Sequence, residues 1–233
     1  MINIRAGEYS RKKVIRENFM AFSLVLTIPL LTTFYILLNN SKRGVYNLVT
    51  DIDKAIPFMS IFVIPYILWY AFIILTFLYL CIKDREMYYK TLISYDIGMV
   101  VCFIIYFIFQ TTVPRPEVAG SDIFSRIVML IYKYDQPFNC FPSIHVLSCY
   151  LMIKAINESK AGNLINRILV FSVASAIILS TLFIKQHVIL DAFSAMFISS
   201  IVFNFVKKID LERILGWIKK QYSLLMMKKK LET

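Results

Sequence analysis

The sequence predicts an all-α membrane protein, a bundle of six transmembrane helices with an interfacial amphipathic helix between spans three and four. Hydrophobic residues make up 58% of the 233 residues and charged residues only 18%, far more apolar than a soluble domain needs. Apolar runs of about 20 residues, which can cross about 30 Å of hydrocarbon, recur along the chain. Because short polar segments separate them, we expect one bundle.

The apolar runs define three regions and six spans. The basic segment 1–18 precedes the run 19–38, which is too long for a signal peptide and has no small-residue cleavage site, so we predict an uncleaved first span with a kink at Pro29. The remaining predicted spans are 55–82, which is long enough to tilt or project, 91–113, 142–156, 165–184 and 187–206. The membrane domain is therefore 19–206, and 207–233 is a basic tail.

The loop 114–141 contains a predicted amphipathic helix at 121–134, with Ser121 as its N-cap. One face is apolar and the opposite face is charged, with Ile123, Ile127, Leu130, Ile131 and Tyr134 on the first and Asp122, Arg126 and Lys133 on the second. A helix of this kind is expected to lie on the membrane surface.

Basic residues predict the orientation of the bundle. Of the 26 Lys and Arg residues, 19 fall on the side of the two termini and 7 on the opposite side. The positive-inside rule then makes the termini cytoplasmic, so loop 114–141 and the starts of spans four and six face the extracytoplasmic side of the cell membrane. Because this asymmetry and anionic lipid account for the net charge of +11, we expect membrane lipids and no nucleic acid as partners.

The only two histidines of the chain mark the candidate site. Pro142 fits the first position of a helix, which places Ser143 and His145 in its first turn, where free N–H groups and the helix dipole attract an anion such as phosphate. His187 and Asp191 are four residues apart, so on a helix they share a face, and the carboxylate can orient and charge-stabilise the imidazole.

Two cations are predicted at the same rim of the bundle, Arg115 and Lys185. Together with Ser143 and the histidines they fit phosphoryl transfer without a metal or other cofactor. The cations would stabilise the phosphate oxygens while one imidazole attacks phosphorus and the other protonates the leaving oxygen. Each residue taken singly also fits a structural role or a headgroup anchor, and their convergence favours catalysis. The four cysteines show neither a disulfide framework nor metal-ligand spacing.

These residues resemble the motifs of the type 2 phosphatidic acid phosphatase superfamily of membrane lipid phosphatases. The resemblance covers roughly residues 60 to 205 and rests on Arg115-Pro116, Pro142-Ser143-x-His145 and His187-x3-Asp191. It implies that His187 is the nucleophile that forms a phosphohistidine, that Asp191 orients it and that His145 is the general acid. It also implies that Arg115, Ser143 and the neighbouring backbone hold the phosphate.

The sequence departs from the family pattern at two cations. The family has Lys seven residues before the Arg, where this chain has Ile108, and Arg six residues before the last His, where it has Thr181. We therefore expect Lys185 to carry more of the phosphate charge. Similarly sparse motifs occur in the branch resembling inositol phosphorylceramide and sphingomyelin synthases, which transfer a phospho-headgroup to a lipid alcohol.

The expected function is a phosphatase that hydrolyses a lipid mono- or diphosphate at the outer face, with water as the acceptor. Two alternatives remain open: a lipid phosphotransferase that uses a lipid alcohol, and a non-catalytic phospholipid-binding membrane protein. Retention of both histidines and of Asp191 argues against the last. The sequence leaves the lipid tail and the oligomeric state open.

Overall fold

The computed structural model describes residues 2–40, 42, 44–210 and 213. Five of its helical segments are long and apolar enough to cross a membrane, namely Lys12–Leu38, Ser60–Lys83, Arg85–Ile108, Leu164–Phe183 and Ile189–Val206. The prediction of a multi-pass, all-α membrane protein is thereby confirmed. Most of the predicted basic tail lies outside the described residues.

The first apolar segment is built from two helices joined by a 3-10 turn. Helix α1 (Ile2–Phe22) leads into the turn Ser23–Leu26 and then into α2 (Thr27–Leu38). Pro29 cannot donate to the carbonyl of Val25, four residues earlier, and its ring crowds that carbonyl, so the interruption falls in the turn before the proline. Helix α1 also crosses the predicted boundary between residues 18 and 19.

The second and third segments begin and end at other residues than hydropathy predicts. After the short helix α3 (Asp51–Ala55) and a 3-10 turn (Ser60–Phe62), α4 covers Val63–Lys83, so residues 55–59 are not part of the helix. Helix α5 (Arg85–Ile108) starts six residues before the predicted position 91, because Asp84 caps it by accepting from the Met87 N–H at 3.1 Å. Because its first turns carry charged side chains, the length of the apolar run does not reveal them.

Helix α7 (Ile144–Glu158) lies at the centre of the bundle and packs against α4, α5, α8 (Leu164–Phe183) and α9 (Ile189–Val206). Its 15 residues extend about 22 Å, less than a typical span. Its C-terminal end nevertheless reaches the far ends of α4 and α9, because Ser159 donates to Asp84 at 2.8 Å and Lys207 donates to Glu158 at 2.7 Å. It therefore joins the same two ends of the bundle as the longer helices.

The inside of the bundle holds large buried side chains and the outside is apolar. Tyr88, Tyr95 and Tyr106 on α5 are fully buried with Phe77 of α4. The outer surfaces of α8 and α9 expose aromatic and aliphatic side chains such as Phe171, Phe193, Phe197 and Ile201. An exposed apolar belt of this kind fits contact with lipid chains.

Irregular segments cover the end of the bundle that holds the two histidines. Two short parallel strands, β1 (Tyr46–Asn47) and β2 (Thr111–Thr112), pair there, an element that the all-helical prediction did not include. Helix α6 (Ile123–Tyr134) also lies at this end and is capped by Asp122, which accepts from the N–H groups of Phe124 and Ser125, and not by Ser121 as predicted.

The apolar side of α6 is divided between two environments. Val128 is buried against Val63, Tyr66 and Ile184, and the predicted-face residue Ile127 packs on the edge of this cluster. Ile123, Leu130 and Tyr134, which belong to the same predicted face, are exposed.

Candidate active site

The two histidines lie side by side, with their ring centroids 5.8 Å apart. His145 lies in the first turn of α7, as predicted, and is the second residue of the helix. His187 was expected inside the last helix, but α9 begins at Ile189, so His187 lies in the preceding turn. Lys185 adopts a left-handed backbone conformation with φ of 52°, which turns the chain between α8 and His187. The predicted contact with Asp191 still forms, with Nδ1 of His187 3.3 Å from Oδ2.

The hydrogen bonds of His187 determine which ring nitrogen carries its proton. Nδ1 lies 3.0 Å from the carbonyl oxygen of Cys140 as well as 3.3 Å from the Asp191 carboxylate. A carbonyl oxygen can only accept, so Nδ1 must be the protonated nitrogen. In the neutral ring Nε2 then carries the free lone pair, which is the form a nucleophilic histidine requires.

Asp191 and Ser143 tie the starts of α9 and α7 together. Oδ2 of Asp191 accepts from the Val188 N–H at 3.0 Å, and its backbone carbonyl accepts from the Ser143 N–H at 3.2 Å. Both residues are fully buried. This fixes the position of each histidine relative to the other.

Ser143 is the N-cap of α7, which corrects the prediction that the helix starts at Pro142. Its hydroxyl oxygen accepts from the Val146 N–H at 3.3 Å, and Pro142 precedes the cap. The first N–H groups of the helix, those of Ile144 and His145, have no carbonyl one turn earlier to bond. An anion at this helix start would meet those two groups and the positive end of the helix dipole.

Two aromatic side chains of α4 enclose the imidazole of His145. The ring centroids of Tyr66 and Trp69 lie 4.7 Å and 4.4 Å from that of His145. The indole N–H of Trp69 donates to Ser148 at 2.8 Å, one turn further along α7, which holds the indole against the imidazole. This packing fixes the orientation of the His145 imidazole beside His187.

Arg115 is fastened at the same end by the C-terminus of α6. Its Nη1 donates to the carbonyls of Tyr132 and Asp135 at 3.1 Å and 2.7 Å, and its guanidinium lies 4.4 Å from the centre of the Tyr132 ring. Its Nη2 donates to Oε1 of Gln186 at 2.6 Å. The guanidinium therefore sits beside the turn that carries His187.

Lys185 is held by the backbone of the segment around α3. Its Nζ donates to the carbonyls of Asp53 and Ile56 at 2.9 Å and 2.5 Å. Burial lowers the pKa of Lys185, and the nearby Asp53 carboxylate opposes this shift. With two of its three donors engaged, the ammonium anchors this segment and has one donor left for a phosphate.

A cleft of about 510 Å³ connects the two cations with His187. Arg115, Lys185 and His187 all line it, with Asp53, Lys54 and apolar side chains on the remaining walls. His145 lies beside His187 without lining the cleft. The predicted site residues therefore lie together at one end of the bundle, namely His187, His145, Asp191, Arg115 and Lys185. Ser143 joins them through the hydrogen bond from its N–H to the carbonyl of Asp191.

The structure adds residues that the sequence prediction missed. Asp53 accepts from the N–H of Ile189 at 2.8 Å and so caps α9 from a distant segment. Hydrogen bonds from Thr50 and Ile189 lower the pKa of Asp53 by more than burial raises it. The pattern Thr50-x-x-Asp53 marks a local helix cap, but nothing in it indicates Ile189. In the sequence, Gln186 is marked only by its position between the candidates Lys185 and His187. Tyr66 and Trp69 cannot be told from ordinary core aromatic residues by sequence alone.

Ile108 and Thr181, the two positions at which the resembled motifs would have cations, do not line the cleft. Ile108 is 71% exposed at the end of α5. Thr181 is fully buried, and its carbonyl accepts from the N–H groups of Gln186 and His187. Among the described residues no group of three or more His, Cys, Asp or Glu could hold a metal ion.

Comparison with protein-family models, with curated proteins and with solved structures returned no match to this chain. The geometry of the site is therefore the basis for assigning a function.

Proposed function

We propose that this protein is an integral membrane phosphatase that hydrolyses a lipid mono- or diphosphate through a phosphohistidine on His187. The main support is the hydrogen bonding of His187, whose Nδ1 proton is directed at Cys140 and Asp191 and whose Nε2 is left as the nucleophile. Arg115 and Lys185 on the walls of the same cleft supply positive charge for the phosphate.

The reaction would proceed in two steps. Nε2 of His187 attacks phosphorus while the bond to the lipid oxygen breaks, and that oxygen takes the proton of the His145 imidazolium. Neutral His145 then accepts a proton from water, whose oxygen attacks phosphorus, and the P–N bond breaks to release inorganic phosphate. A separation of 5.8 Å between the rings is compatible with one phosphoryl group, given an attack distance of about 3–3.5 Å and a hydrogen bond of about 2.6–3.2 Å.

In the proposed orientation the five long apolar segments and the short helix α7, which is the fourth in chain order, cross the membrane. The termini are cytoplasmic and the site faces the extracytoplasmic side of the cell membrane. Helix α6 would lie at the interface, with Ile123, Leu130 and Tyr134 toward lipid.

The orientation can be tested by labelling cysteines from outside the cell. Cys140 is a poor probe because it is buried, so we suggest single cysteines at the exposed positions Glu117 and Lys160. An impermeant maleimide should label position 117 on intact cells and position 160 only after permeabilisation. The opposite pattern would invert the bundle.

The function is tested by incubating the purified protein with a panel of labelled lipid phosphates and following free phosphate and labelled protein. Wild type should release phosphate and form an acid-labile, base-stable phosphoenzyme. His187→Ala should do neither. With an aryl phosphate, whose leaving group needs little protonation, His145→Ala should form the phosphoenzyme and accumulate it. Label on His145 in the His187→Ala protein would reverse the two roles, and absence of phosphoenzyme in every variant would contradict the covalent mechanism.

The same incubation separates the alternatives. A phosphotransferase would yield a new phospholipid when a lipid alcohol is added, with little free phosphate. A non-catalytic protein would bind lipid phosphate and change none of it. Arg126→Ala, which removes an exposed cation of α6 outside the cleft, serves as a control that should behave like wild type.

A further inference from the structure

Two buried nitrogen donors where Arg115 meets Gln186 have no hydrogen-bond partner in the part of the chain that the structure describes. They are Nε2 of Gln186 and Nε of Arg115. Gln186 is only 4% exposed, so water does not readily replace a protein acceptor. A buried donor without an acceptor is destabilising, so two neighbouring ones call for an explanation.

The orientation of the Gln186 amide follows from its neighbour. Nη2 of Arg115 lies 2.6 Å from Oε1. A guanidinium can only donate, so the amide oxygen must face it, because the flipped amide would set donor against donor. The amide nitrogen therefore directs its two N–H groups away from Arg115 and toward another acceptor.

The missing acceptor should be an anion with several lone pairs. Gln186 immediately precedes His187, and Arg115 lines the cleft that His187 also lines. Gln186 does not itself line the cleft, and its side chain lies behind the cleft wall against Arg115. A phosphoryl group offers oxygens to both donors at once, and hydrogen bonds to a charged acceptor are among the stronger ones.

We propose that the side-chain amide of Gln186 donates directly to a phosphate oxygen, next to Nε of Arg115, while its own oxygen holds Arg115 in place. This inference rests on the proposed function. The resembled motifs have cations where this chain has Ile108 and Thr181. In our proposal a neutral hydrogen-bond donor, the Gln186 amide, supplies part of the phosphate binding that such cations would give.

A double-mutant cycle separates direct contact from positioning of Arg115. Binding of inorganic phosphate to the purified full chain would be measured by calorimetry for wild type, Gln186→Met, Arg115→Met and the double variant. Gln136→Met, which changes an exposed glutamine, is the matched control. We expect Gln186→Met to weaken phosphate binding about tenfold or more, both alone and in the Arg115→Met background.

The cycle has two outcomes that overturn the proposal. If the double variant binds phosphate as well as Arg115→Met does, Gln186 acts only through Arg115. If wild type neither binds phosphate nor turns over any lipid phosphate, the proposed function fails as well, which distinguishes the two failures. Should Gln186→Met not fold, Gln186→Glu keeps an acceptor for Arg115 and removes both donors. Phosphate binding that is weakened more by Gln186→Glu than by Lys54→Ala, which makes the same one-unit change in charge at the cleft, supports the proposal, and an equal or smaller loss refutes it.

Discussion

The substitution Asp191→Asn tests how His187 is activated, because the structure gives the imidazole two acceptors. Removal of the Asp191 charge leaves the Cys140 carbonyl 3.0 Å from Nδ1, closer than the carboxylate oxygen at 3.3 Å. The ring should therefore keep its tautomer and orientation in the variant. What it loses is the negative charge that stabilises the cationic phosphohistidine.

The size of the effect follows from that separation. A full positive charge 3.3 Å from the carboxylate gains about 5 kcal/mol at an effective dielectric constant of about 20, which is an upper limit. Only part of the charge has developed in the transition state, so we expect a loss of about 3 kcal/mol, or about 10²-fold in the rate of phosphoenzyme formation. This is smaller than the roughly 10⁴-fold loss in a Ser-His-Asp triad that ends in the wrong tautomer.

Rapid-quench labelling with a radioactive lipid phosphate would measure this rate. Oδ1 of Asp191 is buried and has no partner among the described residues, so an amide nitrogen at that position would cost about 1–3 kcal/mol of stability. The rate must therefore be referred to folded protein. Glu158→Gln removes a carboxylate at the far end of the bundle and serves as the control. Less than a threefold loss would refute a role for the charge, and a loss of 10⁴ or more would mean that the Cys140 carbonyl does not hold the ring.

Three further predictions concern the surroundings of the cleft. Lys185→Ala should lower turnover about 10²-fold, whereas Lys54→Ala, an exposed lysine on the same cleft, should not; near-normal turnover would make Lys185 only an anchor. Asp53→Asn should destabilise the protein by about 1–3 kcal/mol in thermal unfolding, because an amide cannot accept from both Thr50 and Ile189, and the exposed control Asp51→Asn should not. Since the pKa of Asp53 is lowered on folding, its contribution is present at neutral pH and lost as the pH falls through the folded pKa, so Asp53→Asn should lose less stability on acidification than wild type. Activity should survive EDTA, and complete loss that Mg²⁺ or Zn²⁺ restores would contradict the mechanism.

Hydropathy located the apolar segments because lipid exposure requires long apolar runs, but it could not place their ends. Charged residues at the start of α5, beginning with Arg85, are helical without being apolar. The cap of α6 was placed one residue too early because Ser121 and Asp122 are both good capping residues, and only the backbone conformation selects the second. The position of His187 before α9 depends on the left-handed conformation of Lys185, for which a lysine gives no sequence signal.

The sequence was sufficient to predict that these residues lie at one end of the bundle, but not how each of them is held there. Topology alone brings loop 114–141, the start of α7 and the turn before α9 to one end, which is why the predicted residues meet. The acceptor that fixes the His187 tautomer is the backbone carbonyl of Cys140, and a carbonyl has no signature in sequence. The contact from Asp53 to Ile189 spans 136 residues and depends on how the loops pack.

Backbone carbonyl groups hold the two histidines and the start of α7 in position. The His187 side chain is held by the Cys140 carbonyl, its N–H by the Thr181 carbonyl, and the Ser143 N–H by the Asp191 carbonyl. Such acceptors do not titrate and do not depend on the side chain of the residue that supplies them. The alignment of the two histidines is therefore independent of how many cations line the cleft, so a shortage of cations should weaken phosphate binding without disordering His187. Because the histidines are aligned without the cations, the phosphate site needs only further donors to bind the anion. In our proposal the neutral amide of Gln186 is such a donor.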